Sequence, residues 1–289
     1  MASTPDLDRL LTLAREHGAA VRLLGDPAQL QAVGAGGVLR LLDAHVGAAH
    51  LEDVHRFSNP AEATASLALR EGDVRALGFY IDNARTLGGT RDAMLEEIYD
   101  AWWNDAAQGK AAVMIAATNA DVVALSTRAR LDKIAAGEVE TDGTPLHDDT
   151  LAGIGDTVVT RLNDRRLKTE RGTDFVKNGD LWTVVERHDN GALRLRHVQH
   201  QGFVTVPAEY VAENVELGYA STIHRAQGMT TDTAHLLVGA GATREQLYTG
   251  LTRGRHDNRA YVVTDELLDV DLHAQPGPAG ATRAALESV

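Results

Sequence analysis

A chain of 289 residues, 44% of them hydrophobic and 24% charged, can bury one large core or two ordinary ones, since compact domains commonly run to roughly 100–150 residues. A formal net charge of −13 excludes indiscriminate nucleic-acid binding, and 4% aromatic residues argue against a base-stacking surface, so any DNA contact has to be local. The absence of cysteine removes disulfides, thiolate catalysis and cysteine-ligated zinc, and no apolar run approaches the roughly 20 residues that cross a bilayer, which gives the expectation of a cytoplasmic protein without membrane contact.

In chain order, Thr4 as N-cap, Pro5 in the first turn and Gly18 as stop predict an amphipathic helix with Leu7, Leu10, Leu11 and Ala14 on one face. AVRLL (residues 20–24) reads as a short buried strand, which places GDPAQLQAV (25–33) at a strand's carboxyl end, where open α/β sheets hold ligand loops. Residues 38–110 read as mostly helical, broken at SNP and at Gly88-Gly89. AAVMIAATN is again a strand and a loop, with Asn119 capping a helix that Gly137 ends. From Leu151 the period changes to two, in DTVVTRL, LWTVVERH, ALRLRHV and FVTVP, with Asp189-Asn190-Gly191 as a hairpin turn. Downstream, the strand AHLLV, the helix TREQLYTGLTRGR and the strand AYVVT restore the βα alternation, and a linker leads to a short terminal helix. The antiparallel unit is therefore an insertion.

Three stretches carry candidate chemistry. Gly25, Asp26 and Gln29 suit either a plain strand-to-helix turn or a loop whose Gln amide reaches a terminal phosphate or the attacking water. TIHRAQG (222–228) reads either as a capped helix start or as a segment with Thr222 and His224 facing a nucleic-acid backbone and Gln227 and Gly228 facing nucleotide. In YTGLTRGR (248–255) two arginines two residues apart leave a helix on different sides, so one can reach phosphate while the other forms a structural ion pair. The basic run RLNDRRLKTERG (161–172) offers Arg161, Arg165, Arg166, Lys168 and Arg171 either as a solvated face or as contacts to a DNA backbone. His45, His50 and His55, five apart, wind around a helix and do not converge on a metal.

In this order and spacing the stretches resemble the later motifs of superfamily 1 helicases of the RecD-like branch, in particular the helicase portion of conjugative relaxases of the TrwC/TraA (MobF) type. GDPAQLQAV resembles motif III, His55-Arg56-Phe57 motif IV, STIHRAQGMT motif V and LYTGLTRGR motif VI. The resemblance implies an α/β fold: a partial first RecA-like domain (1–48), a complete second one (49–149 and 213–272) carrying an inserted small antiparallel SH3-like β-barrel (150–212), and a tail (273–289). It implies that Gln29 senses the γ-phosphate, that Arg56 and Arg253 close on it, that Gly25, Asp26, Gln227 and Gly228 line the nucleotide cleft, and that Thr118, Asn119, Thr222 and His224 touch single-stranded DNA. ATP and Mg²⁺ are the cofactors of such an enzyme, and its movement is 5′→3′.

The phosphate-cradling loop GxxxxGK[ST] is not legible: the only Gly-Lys pair is Gly109-Lys110, with Asn104 in place of the first Gly and Ala111 in place of Ser or Thr. AYVVTDE, ending at Asp265 and Glu266, imitates the acidic strand that binds magnesium, but it follows motif VI. The expectation is the carboxyl-terminal part of an ATP-dependent DNA helicase that partners single-stranded DNA and a missing upstream half, binds no nucleotide tightly and does not hydrolyse ATP alone. Two alternatives are a non-enzymatic remnant with residual single-strand binding and a fragment of a RecD-like repair helicase.

Overall fold

A computed structural model describes residues 3–30, 36–50, 55–170, 172, 174–265 and 278–287. Arg171, Glu266 and the QAV end of GDPAQLQAV lie outside the described residues. The first helix, α1 (Thr4–Glu16), starts one residue before the expected cap: Ser3 and Asp6 form a reciprocal capping box, and Pro5 occupies the first turn. AVRLL is not a strand. Its backbone pairs with no described strand and Leu24 is 90% exposed, because an apolar run becomes a strand only where a neighbour completes the ladder.

After α2 (Val38–Val46) come α3 (Pro60–Arg70), capped by Asn59, and α4 (Ala76–Asp82). The next element corrects the helical reading: Thr86–Gly89 is strand β1, paired in parallel with a distant strand. Four residues ending in two glycines carry no periodicity, and the pairing comes from the partner. Gly88 also packs so closely under the terminal helix that a Cβ there would stand 1.8 Å from Thr282 Oγ1.

Then follow α5 (Arg91–Ala107), β2 (Ala112–Ala116) and α6 (Asn119–Ala135). Thr118, not Asn119, caps α6: its hydroxyl accepts from the Asp121 amide at 3.1 Å and donates to the Asp121 carboxylate at 2.6 Å. The inserted segment contains β3 (Thr144–Pro145), β4 (Leu151–Ala152), β5 (Thr157–Thr160), β6 (Asp164–Lys168), β7 (Phe175–Val176), β8 (Leu181–Arg187), β9 (Leu193–His197), β10 (Phe203–Val206), α7 (Ala208–Asn214) and β11 (Val215–Leu217). Its pairing gives a five-stranded antiparallel sheet in the order β10-β9-β8-β5-β11, with β10 and β11 at the edges, plus the hairpins β3-β4 and β6-β7. The sheet thus takes in β11, beyond the expected boundary at 212. The β8-β9 hairpin turns at Asn190-Gly191, as read from the sequence, with Gly191 at φ +85°.

The chain returns through β12 (Ala220–Thr222), β13 (Thr231–Val238), α8 (Arg244–Gly250), β14 (Gly254–Val263) and α9 (Pro278–Glu287). The core sheet runs β1-β14-β13-β2-β12, and all its pairings among the described residues are parallel. Alternation along β2 shows how both faces are covered. Val113 and Ile115 pack with residues of α3, α4, α8 and α9, whereas Met114 and Ala116 pack with α5 and α6. That second face is continuous with the interior of the inserted sheet, where Trp182 is fully buried and donates Nε1–H to Thr160 Oγ1 at 3.2 Å.

The insertion is also tied to the core by a buried polar knot. Asp156 accepts from Arg130 Nε at 2.9 Å and from the Tyr219 hydroxyl at 2.7 Å, which joins α6, the start of β5 and the link from β11 to β12. Desolvation raises the Asp156 pKa despite these donors. By contrast, α1 and α2 bury no residue.

Candidate nucleotide-closing site

The loop after the AVRLL segment is folded on itself by Asp26. Its Oδ1 accepts from the Ala28 amide at 3.0 Å, and its Oδ2 takes the Gln29 side-chain amide at 3.1 Å. Two groups from far along the chain reach the same carboxylate: Arg70 Nε from α3 at 3.2 Å and the Tyr248 hydroxyl from α8 at 3.0 Å. Gln29 Oε1 in turn accepts from Gln227 Nε2 at 3.2 Å, and that nitrogen lies 3.4 Å from the Leu30 carbonyl. The GDPAQL loop is thereby joined to the TIHRAQG and YTGLTRGR stretches.

Arg253 lies beneath this contact. It is 1% exposed and donates to the Thr249 carbonyl at 2.7 Å, the Thr252 hydroxyl at 2.6 Å and the Ala226 carbonyl at 3.4 Å. Arg56 donates to the Thr252 carbonyl. Among the described residues neither arginine forms an ion pair with a carboxylate. Burial lowers the Arg253 pKa to about 9, the charge of Arg56 adds to the drop, and Tyr248 and Asp26 oppose it. Burial lowers the Arg56 pKa too, opposed by Tyr248 and reinforced by Arg255. Two guanidiniums that repel each other, with no carboxylate hydrogen-bonded to either among the described residues, favour an added anion.

The arginine pair of motif VI does not leave one helix as expected. The helix ends at Gly250, so Arg253 follows its last turn while Arg255 stands exposed on β14, and neither forms an ion pair among the described residues. Helix propensity in LTRGR yields to the ladder with β13, where Thr231 opposes Gly254.

Gly25, Asp26, Gln29 and Gln227 line a cavity of about 520 Å³ with Arg22 and Arg40, a size in the range of small-molecule sites. Gly228, at φ +88°, lines a separate cavity of about 240 Å³ with Asp180, Gln199 and Arg255, between the inserted sheet and the core. Gly109-Lys110 is the turn between α5 and β2, and Lys110 is engaged with Asp105 at 2.6 Å. Asp265 accepts from the Arg91 amide at 3.1 Å, as a strand end meeting a helix start does.

The candidates for strand contact gather elsewhere on the core sheet. Thr222 pairs in register with Ala116, so Thr118 and Asn119 emerge beside it at the carboxyl ends of β2 and β12, with His224 half-buried next in line. Arg253 and Gly228 lie near the amino ends of β13 and β14.

The basic run divides. Arg161 is a correction: its side chain is 10% exposed and its Nε donates to Glu216 at 2.9 Å, so it is an interior ion pair and not a surface contact. Arg161 directly follows β5, and its amide donates to the Asn214 carbonyl at 2.8 Å, which sets it beside the start of β11. Arg166 is exposed but paired with Asp164 at 2.7 Å. Arg165 and Lys168 remain exposed around Phe175, with the Arg165 guanidinium 5.3 Å from the ring centroid.

The sequence pattern assigns no role to Arg70 or Tyr248: Tyr248 stands inside LYTGLTRGR, but Arg70 has no signal beyond an ordinary helical position.

Comparison with known proteins follows the same lines. A profile of the AAA domain matches residues 1–91, and one of the UvrD-like helicase C-terminal domain matches residues 217–261. The conjugal transfer protein TraA of Agrobacterium fabrum is 33% identical over 84% of this chain and 22% of its own length. The RecBCD enzyme subunit RecD of Mycolicibacterium smegmatis is 27% identical over 88% of this chain and 47% of its own. The chain thus spans less than half the length of either relative. Among solved structures, Bacteroides Pif1 bound to ssDNA shares the fold, with a TM-score of 0.52 at 17% identity over 91% of this chain and 69% of that one. The Bacteroides Pif1 helicase in complex with ADP-AlF3 and ssDNA gives a TM-score of 0.51 at 18% identity over 87% and 66%.

Proposed function

This chain is a relative of the superfamily 1 RecD-like helicases, allied to the TraA relaxases, and from that premise we propose that it supplies the closing side of an ATP-dependent DNA helicase motor. The observation that carries the reading is a chain of contacts that draws three distant stretches of sequence together: Gln29 bonds Gln227, Arg253 bonds the adjoining Ala226 carbonyl, Arg56 bonds the Thr252 carbonyl, and Tyr248 bonds Asp26. Guanidiniums bonded only to neutral oxygens, in the same cluster of contacts as a Gln amide, fit the terminal phosphate of a nucleoside triphosphate, where an arginine stabilises charge that develops on transfer. The same set does not fit Mg²⁺: it has neither the Ser or Thr of a phosphate loop nor a free acidic strand end. The residues that hold triphosphate and metal therefore belong to a partner segment.

Several facts support that partner. The apolar face of α1 is uncovered, with Leu10, Leu11 and Leu13 42–54% exposed, and the AVRLL segment has no described strand beside it. A single strand of DNA runs over Thr118, Asn119, Thr222 and His224, with Arg165 and Lys168 of the inserted SH3-like unit as outlying backbone contacts. In the resemblance the movement is 5′→3′, and a conjugative relaxase is the parent enzyme.

Two measurements test this. The purified chain, titrated with a fluorescent single strand at several salt concentrations and assayed for ATP hydrolysis, is expected to bind with a salt dependence and to show no turnover. Arg253→Ala placed in a full-length TraA-type protein is expected to lower ATP hydrolysis by about 10³–10⁵. Retained hydrolysis there, or turnover by the chain alone, would overturn the reading.

A further inference from the structure

Where the inserted sheet passes into the core sheet, one carboxylate serves two guanidiniums. Glu216, 4% exposed on β11, accepts at the same oxygen, Oε2, from Arg161 Nε at 2.9 Å and from Arg225 Nη1 at 2.7 Å. The two arginines are not equivalent. Arg161 is nine-tenths buried, and its Nη1 and Nη2 are buried without a hydrogen-bond partner among the described residues. Arg225 is 40% exposed and stands in the loop after β12, where its amide donates to Thr222 Oγ1 at 3.3 Å.

A guanidinium offers five N–H donors in a planar fork that matches both oxygens of a carboxylate. Glu216 gives Arg161 half of that match while it also holds Arg225, so the buried partner is the under-served one. If Arg225 swings to another anion, Glu216 is free to turn both oxygens to Arg161. The interior then keeps a balanced ion pair and loses only a partly exposed one, which is worth little.

We propose that Arg225 is an exchangeable phosphate contact: Glu216 holds it in the absence of nucleic acid and yields it to the backbone of a single strand lying over Thr222 and His224. The inference rests on the reading of that loop as strand-facing. It adds a consequence of its own, because the carboxylate released by the strand tightens on Arg161 and so ties strand binding to the inserted sheet.

The test is fluorescence anisotropy of a labelled oligothymidylate against the whole chain over a range of salt. Arg225→Gln is expected to weaken binding several-fold and to flatten the slope of log affinity against log salt by about 0.7, the value of one single-strand phosphate. Arg225→Lys keeps the slope. Glu216→Gln removes the competitor and tightens binding several-fold with the slope kept. Since that change also strips Arg161 of its counter-ion, the double variant Arg161→Gln/Glu216→Gln is read in the same way if the single one unfolds. A wild-type slope in Arg225→Gln overturns the exchange, as does weaker binding by a folded variant of Glu216. No binding by the unaltered chain overturns the strand-facing reading itself, and the two failures are thereby told apart.

Discussion

Tyr248 donates its hydroxyl to Asp26 at 3.0 Å across 222 residues of sequence. The contact seats the GDPAQL loop on α8, at the same carboxylate oxygen that takes the Gln29 side-chain amide. Asp26 and Arg70 are both about one-fifth exposed, so the pair that braces this contact is only partly screened by solvent.

Removal of the phenolic hydroxyl, Tyr248→Phe, leaves Asp26 its other donors and should cost about 1 kcal/mol. Asp26→Asn also takes the ion partner from Arg70 and should cost about 2 kcal/mol. Urea midpoints of the two variants check the order, and a smaller loss in Asp26→Asn than in Tyr248→Phe would contradict it.

Arg253 predicts an unusual pH dependence. Burial first, then the charge of Arg56, hold its folded pKa near 9, well below its ordinary value. Below about pH 9 both states carry the proton and the group imposes a constant penalty. Above it the folded state sheds the proton while the unfolded chain keeps it, so this contribution to stability rises with pH, by at most about 1.4 kcal/mol per unit. Unfolding midpoints of the wild type and Arg253→Met, compared between pH 8 and 10.5, should shift in favour of the wild type as pH climbs. A gap that stays constant with pH argues against a depressed Arg253.

Two glycines of the motifs are constrained for different reasons. Gly228 sits at φ +88° with open space around a built Cβ, so Gly228→Ala should lose about 1–2 kcal/mol through backbone strain alone. At Gly254 a Cβ would stand 2.3 Å from the Asp257 carbonyl oxygen, and Gly254→Ala has to move backbone, at about 1–3 kcal/mol. Thermal melts with near-ultraviolet circular dichroism separate them: a changed tertiary signal is expected for Gly254→Ala and not for Gly228→Ala.

The division of the basic run gives a prediction about salt. Arg165→Ala/Lys168→Ala should flatten the single-strand salt slope by about 1.4, two contacts at about 0.7 each. Arg161→Met, which alters an interior pair, should leave the slope as it is and change the melting temperature instead. The opposite result would return Arg161 to the surface.

The sequence by itself determined the local signals: the βα alternation, the switch to a period of two, the Asn190-Gly191 hairpin and the spacing of the helicase-like motifs. These follow from patterns within a few residues, which is the range over which propensity and periodicity act. Other elements were illegible because their conformation is set by distant chain. Thr86–Gly89 becomes a strand only because β14 lies alongside, and AVRLL stays unpaired among the described residues for want of a neighbour. The same holds for the site. Gln29 and Arg253 were readable from their motifs, but Arg70 and Tyr248 meet at Asp26 only because the fold brings α3 and α8 to the same loop, and Arg161 looks like a surface cation until its pairing with Glu216 of β11 is seen. Side-chain identity is written in the chain, whereas burial and partnership depend on which remote segments the fold brings within reach.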